Sequence, residues 1–283
     1  MQKKTKIIVG ASVAGVILIA VMGIALVNIF LFIRLHREED HTTLERIAYD
    51  QSGRKTMVYI REEGEYIPYM ALESDYEGNV LLLRENLLPE EMQYQPAPYE
   101  DGISGLSGGW RSYDYGSYYE ESSIDEFLNT DFLGTFSPEV QKAIVDTSIV
   151  VTDKASYYGQ NLANVTHRID RKIFLLSAVE LDRGSDYCTA KEGTPLKYFE
   201  NCSHSVIRAY KADGEAWPYW TRTPWLWGTN HVAVIGVEQN TSATPDRLLG
   251  VRPAFCMGKD TAVHKRDGIV EGKSVYVLDL EGE

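Results

Sequence analysis

The hydrophobic and polar positions divide the chain into an apolar N-terminal run and a longer part of mixed pattern. A basic tip, residues 1–6, precedes a run of roughly 27 residues without charge, which exceeds the ~20 residues that span a bilayer. A cleaved signal peptide is the alternative reading, but its apolar core is shorter, about 7–15 residues, and ends at small residues. The pattern therefore predicts an uncleaved transmembrane helix over residues 7–33, followed by a polar stalk over residues 34–54.

The charges around this run predict its orientation. Lysines precede the run at positions 3, 4 and 6, and arginines follow it at positions 34 and 37. The positive-inside rule then favours a cytoplasmic N-terminus. We therefore predict a single-pass protein of the bacterial cell membrane whose globular domain, residues 55–283, lies outside the cytoplasm and contacts the membrane through the N-terminal helix.

Alternating and β-branched segments in the globular part predict antiparallel strands. Met57–Ile60, Tyr66–Leu72 and Val80–Arg84 each read as strands, and the polar segment 76–79 between the last two reads as a turn. Lys273–Asp279 alternates in the same way and predicts a final strand. Because strands are this frequent, at least part of the domain should be an antiparallel sheet.

Two segments carry the signals of short helices. Ser123-Ile-Asp-Glu126 has the spacing of a capping box, with a serine that can cap and a glutamate three residues later. Ser137-Pro138 places a proline at the first helical position. Short helices among several antiparallel strands predict the α+β class, in one domain over residues 55–283.

Charge excludes one class of partner and leaves others open. The chain has 28 Lys and Arg against 41 Asp and Glu, a net charge of −13. Such a surface repels a phosphate backbone, so we expect no nucleic-acid partner. The 18 Tyr and 5 Trp combine an apolar ring with a polar edge, which suits a β-rich core and equally suits contact with a sugar or a protein.

The order of several phrases resembles the DUF6273 family, bacterial domains of uncharacterised function. The phrases are Tyr66–Leu72, Ser123–Asn129, Lys172–Ser177 with Glu180, Tyr219–Pro224 and Gly250–Phe255. The family is in turn similar to the C-type-lectin-like fold of formylglycine-generating-enzyme relatives, which carry a Gly-Phe-Arg phrase near the end of the fold. The resemblance implies a single C-type-lectin-like domain, with a structural motif formed by Trp220, Arg222, Gly250 and Arg252.

The same resemblance implies where a ligand would bind. In a lectin-like fold the segment before Gly250 lies on the exposed ligand face, which would display Trp225, Trp227, Asn230 and His231. Trp offers rigid contact area and Asn offers adaptable hydrogen bonds. The alternative is that the two tryptophans flank core strands, and for Arg222 and Arg252 we favour a structural role, because a buried Arg is normally paired.

The sequence contains no clear catalytic or metal-binding constellation. Cys202 and His204 form one close pair of soft ligands, whereas zinc sites usually need two such pairs, so we expect no metal and no cofactor. Cys188 and Cys202 are the nearest cysteine pair; a disulfide and three buried thiols, including Cys256, are both open. No Gly-Xaa-Ser-Xaa-Gly phrase indicates a serine hydrolase.

These observations predict a ligand-binding or adhesion module of the cell surface, with a carbohydrate or a surface protein as its ligand. One alternative is an enzyme, related to formylglycine-generating proteins or to cell-wall hydrolases. That alternative requires two cysteines or two carboxylates to converge in one cleft. Another is a structural accessory of an envelope complex, which would display no ligand site.

Overall fold

The structure is a computed structural model that divides the chain into two compact units, Met1–Thr42 and Thr43–Glu283. The residues that it describes are 22, 41–96, 117–120, 122–153, 165–184, 191–225 and 231–280.

The predicted transmembrane helix finds no support. Of the range 7–33 the structure describes Met22 alone, and the basic tip 1–6 also lies outside the described residues. In the part of the chain that is described, no helix combines the length and the apolar character needed to cross a membrane. The α-helix Pro138–Ala143, for example, has 6 residues, against the ~20 that a bilayer requires. The prediction of a single-pass membrane protein is corrected accordingly.

The predicted α+β class is also wrong, because strands dominate. Among the described residues strands account for 43% and helices for 17%. The capping signals at Ser122 and Ser137 start helices of only 5 and 6 residues, too short to form a layer of their own. The described part of the globular unit is therefore mostly β.

The strands and helices have the following bounds. The strands are β1 (His41–Thr43), β2 (Met57–Glu62), β3 (Glu65–Tyr76), β4 (Asn79–Arg84), β5 (Ile144–Val145), β6 (Thr147–Thr152), β7 (Thr166–Arg171), β8 (Ile173–Leu175), β9 (Ala209–Tyr210), β10 (Ala216–Trp217), β11 (Tyr219–Pro224), β12 (Val232–Ile235), β13 (Asn240–Ala243), β14 (Pro253–Met257), β15 (Ala262–Val270) and β16 (Lys273–Leu278). The α-helices are α1 (Leu44–Ile47), α2 (Tyr49–Ser52), α3 (Ser123–Phe127), α4 (Pro138–Ala143) and α5 (His204–Ile207), and α3 continues into a π-turn, Leu128–Phe132, and a 3-10 turn, Leu133–Thr135.

The principal sheet follows the order β15-β16-β2-β3-β4-β14, and both β5 and β8 pair with β14. Its pairings are antiparallel except for β16 with β2, which run parallel. Smaller sheets are β11-β12-β13, β6-β7 and β9-β10. The strands predicted at Met57–Ile60, Tyr66–Leu72, Val80–Arg84 and Lys273–Asp279 are confirmed, because alternation and short continuous apolar runs are both signals of strands.

The turn between β3 and β4 has the geometry that a two-residue hairpin requires. Glu77 and Gly78 both have positive φ, 50° and 85°, and such a turn matches the twist of the flanking strands. Glycine accepts this backbone freely, whereas Glu77 adopts it at a cost. The turn directs Glu77 toward Arg168 on β7, with which it forms an ion pair.

The helix caps follow the sequence signals with one shift. Ser137 accepts a hydrogen bond from the amide of Val140 at 3.3 Å, as predicted for a cap before Pro138. For α3 the cap is Ser122, which accepts from the amide of Asp125 at 3.2 Å. Ser123, the predicted cap, lies one residue inside the helix.

The globular unit begins earlier than residue 55. Leu44 and Ala48 are fully buried and Ile47 is nearly so. All three pack in the main hydrophobic core, so the end of the expected stalk, residues 34–54, contributes apolar side chains to the fold. An isolated helix of 4 residues is unstable in water, so the burial of these apolar side chains explains why α1 forms.

Candidate functional site

A buried ion pair joins two segments beneath the surface of the globular unit. Arg222 lies on β11 and Glu180 in the turn after β8, and both side chains are essentially inaccessible, at 0% and 1% exposure. Arg222 donates from Nη1 to Oε2 at 2.7 Å and from Nη2 to Oε1 at 2.8 Å. It also donates to the carbonyls of Val150 at 3.0 Å and Leu175 at 2.8 Å. One guanidinium therefore ties β6, β8, β11 and the Glu180 turn together.

The electrostatics of this pair favour the charged Arg222. Burial alone disfavours the guanidinium charge, but the carboxylate of Glu180 outweighs it, so the pKa of Arg222 is raised above its usual value. Glu180 also accepts hydrogen bonds from Tyr76 Oη at 2.5 Å and from the amide of Ser177 at 2.9 Å. Burial and the charge of Glu180 raise the pKa of Tyr76 well above its usual value, so the phenol remains a donor.

A second buried carboxylate fixes the neighbouring segment 191–194. Glu192 is fully buried and accepts from the amide and the hydroxyl of Thr152 at 2.8 and 2.7 Å. The hydroxyl of Thr223 donates to its other oxygen. Burial raises the pKa of Glu192. These bonds hold the segment against β6 and β11, on the side where Glu180 lies.

A pocket of about 320 Å³ opens above the ion pair. Its lining consists of Asp75, Tyr76, Glu77, Ser148, Val150, Arg168, Glu180, Lys191, Gly193 and Thr194. Gly193 has φ +92°, and a Cβ there would lie 3.0 Å from Glu180 Oε1. The loop backbone thus passes close to the carboxylate of Glu180. Position 193 requires a glycine because of this close approach and because of its positive φ. The floor is held by the buried hydrogen bonds of Glu180, whereas the charged side chains of the rim are exposed.

The charges of the lining are almost fully matched. Its carboxylates each have a cation of their own: Asp75 pairs with Lys259 at 2.8 Å, Glu77 with Arg168, and Glu180 with Arg222. Lys191 is exposed and forms no ion pair with any residue that the structure describes. The pocket therefore combines a neutralised acidic wall with the ammonium group of Lys191, with which no described carboxylate pairs.

The predicted ligand-binding residues lie elsewhere, around the ends of β11 and β12. Trp225 and His231 are half-buried, and their rings meet edge to face with centroids 5.7 Å apart. The amide of Trp225 donates to the carbonyl of His231 at 2.9 Å, and the indole packs on Ala178 and Ala233. Trp227 and Asn230, the other two members, lie outside the described residues. Neither Trp225 nor His231 lines the pocket.

The residues of the predicted structural motif are buried. They are Trp220, Arg222, Gly250 and Arg252. Trp220 donates from Nε1 to the carbonyl of Met92 at 2.8 Å. Arg252 donates to the carbonyls of Arg84 and Glu85 at 2.9 and 3.1 Å. Like Arg222, it uses the several donors of a guanidinium to hold loop carbonyls in place.

The described cysteines offer little thiol chemistry. Cys202 and Cys256 are free thiols, half-buried and buried, and Cys188 lies outside the described residues. Burial raises the pKa of Cys256 to about 12, so it is protonated at neutral pH and a poor nucleophile. No group of three or more His, Cys, Asp or Glu among the described residues is arranged to hold a metal ion.

Sequence reasoning did not single out the pocket. Glu180 stood in one of the family phrases, and a charged residue within the apolar stretch after Lys172 does signal a buried partner. Gly193 carried a weaker signal, a glycine in a polar loop. Tyr76 and Lys191 carried none, because only the tertiary fold brings β3 and the 191–194 segment beside Glu180.

Comparison with known proteins identifies a family and nothing more specific. The family model described as "Domain of unknown function (DUF6273)" matches residues 77–259. No curated protein and no solved structure matches the chain. The similarity to the C-type-lectin-like fold is accordingly not confirmed. The matched range contains most of the pocket lining, from Glu77 to Thr194.

Proposed function

Because the chain belongs to the DUF6273 family, whose function is unknown, we propose its function from the geometry of the pocket: the domain is a binding module for a small polar molecule of saccharide size. The observation that carries this proposal is the polar pocket of about 320 Å³ above the Arg222–Glu180 pair. Sites for small molecules are concave and largely preformed, with volumes of about 300–1,000 Å³.

The lining suits a ligand rich in hydroxyl groups. The exposed rim offers carboxylates that accept hydrogen bonds and the side chains of Arg168 and Thr194, which donate them. Beneath the rim, Glu180 is held by Arg222 and Tyr76, so a ligand need not immobilise the floor. Preorganisation of this kind lowers the entropic cost of binding.

A binding function is favoured over catalysis because the two candidate catalytic groups, Glu180 and Cys256, are poorly suited to react with a substrate. Glu180 already accepts from Arg222, Tyr76 and Ser177, and so offers little capacity for proton transfer to a substrate. Cys256, with its pKa near 12, does not serve as a thiolate nucleophile. The enzyme hypothesis therefore draws no support from these residues.

The experiment is a glycan array probed with the full chain, followed by calorimetry on the saccharides that bind. Thr194→Trp places an indole in the pocket mouth, and we expect it to weaken binding at least tenfold, since it occludes the space. Thr241→Trp is the matched control, because Thr241 is also exposed but lies on β13, outside the lining.

Three outcomes would count against the proposal. If Thr194→Trp leaves affinity unchanged while Trp225→Ala abolishes it, the site is the face that includes Trp225 and His231. If both tryptophan insertions weaken binding equally, the effect is not specific to the pocket. If the folded chain binds no saccharide, the ligand belongs to another class, such as the protein partner expected from the sequence.

A further inference from the structure

The unmatched charge in the pocket has a consequence for the choice of ligand. The chain is strongly acidic, at −13, and the acidic groups of the lining are each neutralised by a neighbouring cation. Lys191 is exposed at the rim, and no residue that the structure describes forms an ion pair with it. An ammonium group at the mouth of a concave site, free of a protein carboxylate, is available to a negatively charged ligand.

The residues that follow Lys191 hold its backbone in place. The next residue, Glu192, is fully buried and bonded to Thr152 and Thr223. Gly193 then passes against Glu180, with room for no side chain. The backbone is therefore anchored immediately after Lys191, which keeps the ammonium group near the mouth of the pocket.

From this charge balance we propose that the pocket selects saccharides with one negative charge, such as uronic acids, whose carboxylate pairs with Lys191. The inference rests on the proposed function, since it takes the pocket to be the binding site. The single positive charge of Lys191 balances one negative charge on the ligand. A doubly charged phosphate would leave excess negative charge beside Asp75 and Glu77, and like charges in such a site repel. A single carboxylate is the better match.

The test uses the full chain and pairs of sugars that differ only at C6, where a carboxylate replaces a hydroxymethyl group: glucuronate and glucose, galacturonate and galactose, mannuronate and mannose. We expect the acid of at least one pair to bind about tenfold more tightly than its neutral counterpart, which corresponds to about 1.4 kcal/mol. Lys191→Gln should remove this preference, so that the acid and its neutral counterpart bind with equal affinity, whereas Lys191→Arg should retain it. Lys273→Gln, an exposed lysine outside the lining, is the control.

The outcomes separate the two proposals. If neutral and acidic sugars bind equally and Lys191→Gln changes neither affinity, the charge selection is refuted while the binding function stands. If acids bind more tightly but Lys191→Gln keeps the preference, another cation is responsible and the assignment to Lys191 is overturned. If no sugar of any pair binds to the folded chain, the saccharide function fails and the inference fails with it. A true ion pair also weakens as salt is added, so the preference should shrink with ionic strength.

Discussion

Replacement of Glu180 by glutamine tests whether the buried ion pair holds the globular unit together. Glutamine has nearly the same shape as glutamate, so the substitution removes the charge and leaves the packing intact. Arg222 would then remain fully buried, with its bonds to the carbonyls of Val150 and Leu175 but without a counter-charge. An uncompensated buried charge is the costly result.

The magnitude follows from the contacts that are lost. Arg222 makes two charge-assisted hydrogen bonds to Glu180, at 2.7 and 2.8 Å, and removing one partner of a buried pair costs about 3–5 kcal/mol. A domain has about 5–15 kcal/mol of stability in total. We therefore expect Glu180→Gln to remove a large part of the free energy of unfolding. Arg222→Met should cost a similar amount, and the double variant should cost about 2–3 kcal/mol less than the sum of the two.

The assay is urea unfolding at neutral pH, followed by tryptophan fluorescence, in which the buried Trp220 contributes. Glu271→Gln is the matched control, because Glu271 is exposed in the turn after β15, and a surface change of this kind costs within about 0.5 kcal/mol. A loss below about 1 kcal/mol for Glu180→Gln, or strict additivity in the double variant, would refute the reasoning that the pair stabilises the fold.

Three further predictions concern other buried positions. Burial raises the pKa of Glu192 above the usual 4.5, so its contribution to stability is complete below that value and is lost as the pH rises through the folded-state pKa. In urea unfolding Glu192→Gln should therefore gain stability relative to the wild type as the pH rises above 4.5, and a difference that stays constant with pH would contradict this. Gly236→Ala should lower the free energy of unfolding by about 1–3 kcal/mol, because the added Cβ would lie 2.3 Å from the carbonyl oxygen of Gln239. In the same assay the control Gly134→Ala should change it by no more than about 1 kcal/mol, since its added Cβ would have no atom within 4 Å. Cys256, with a pKa of about 12, should resist iodoacetamide in the folded chain and react after unfolding, as mass spectrometry would detect; labelling of the native thiol would show that it is accessible.

The strands that the sequence predicted are those with an apolar side facing the core. Val80–Arg84 pairs with both β3 and β14 in the principal sheet, and its apolar run reflects burial on that sheet. The strand Thr166–Arg171 carries charges at several positions, so hydrophobic patterning does not mark it as a strand. It pairs with β6 alone, and a strand on an edge is free to be polar. Hydrophobic patterning therefore detects central strands better than edge strands.

The fold class was wrong for a related reason. Capping signals mark where a helix begins but say little about where it ends. After Ser122 the α-helix stops at Phe127 and continues as a π-turn and a 3-10 turn. After Ser137 it stops at Ala143, where the chain enters β5. Both starts are real, but the helices are too short to give an α+β architecture.

The pocket was beyond prediction because its parts are far apart in the sequence. Tyr76 and Glu180, which share a hydrogen bond, are separated by 104 positions. An arginine within the buried strand Tyr219–Pro224 does imply a carboxylate partner, since a lone buried charge is unstable. With 41 acidic residues in the chain, the sequence could establish that such a partner exists without identifying Glu180.

The position of the ion pair links the stability of the fold to the shape of the pocket. A buried salt bridge is by itself weak evidence for stability, because well-packed apolar side chains of similar volume often stabilise as much. Apolar side chains would not, however, accept the hydrogen bonds that Glu180 receives from Tyr76 and Ser177. Those bonds place the phenol of Tyr76 and the Glu180 turn at the pocket floor, where Gly193 packs against the carboxylate. The geometry of the floor therefore depends on a charged pair, and this dependence explains better than stability alone why Arg222 and Glu180 are buried together.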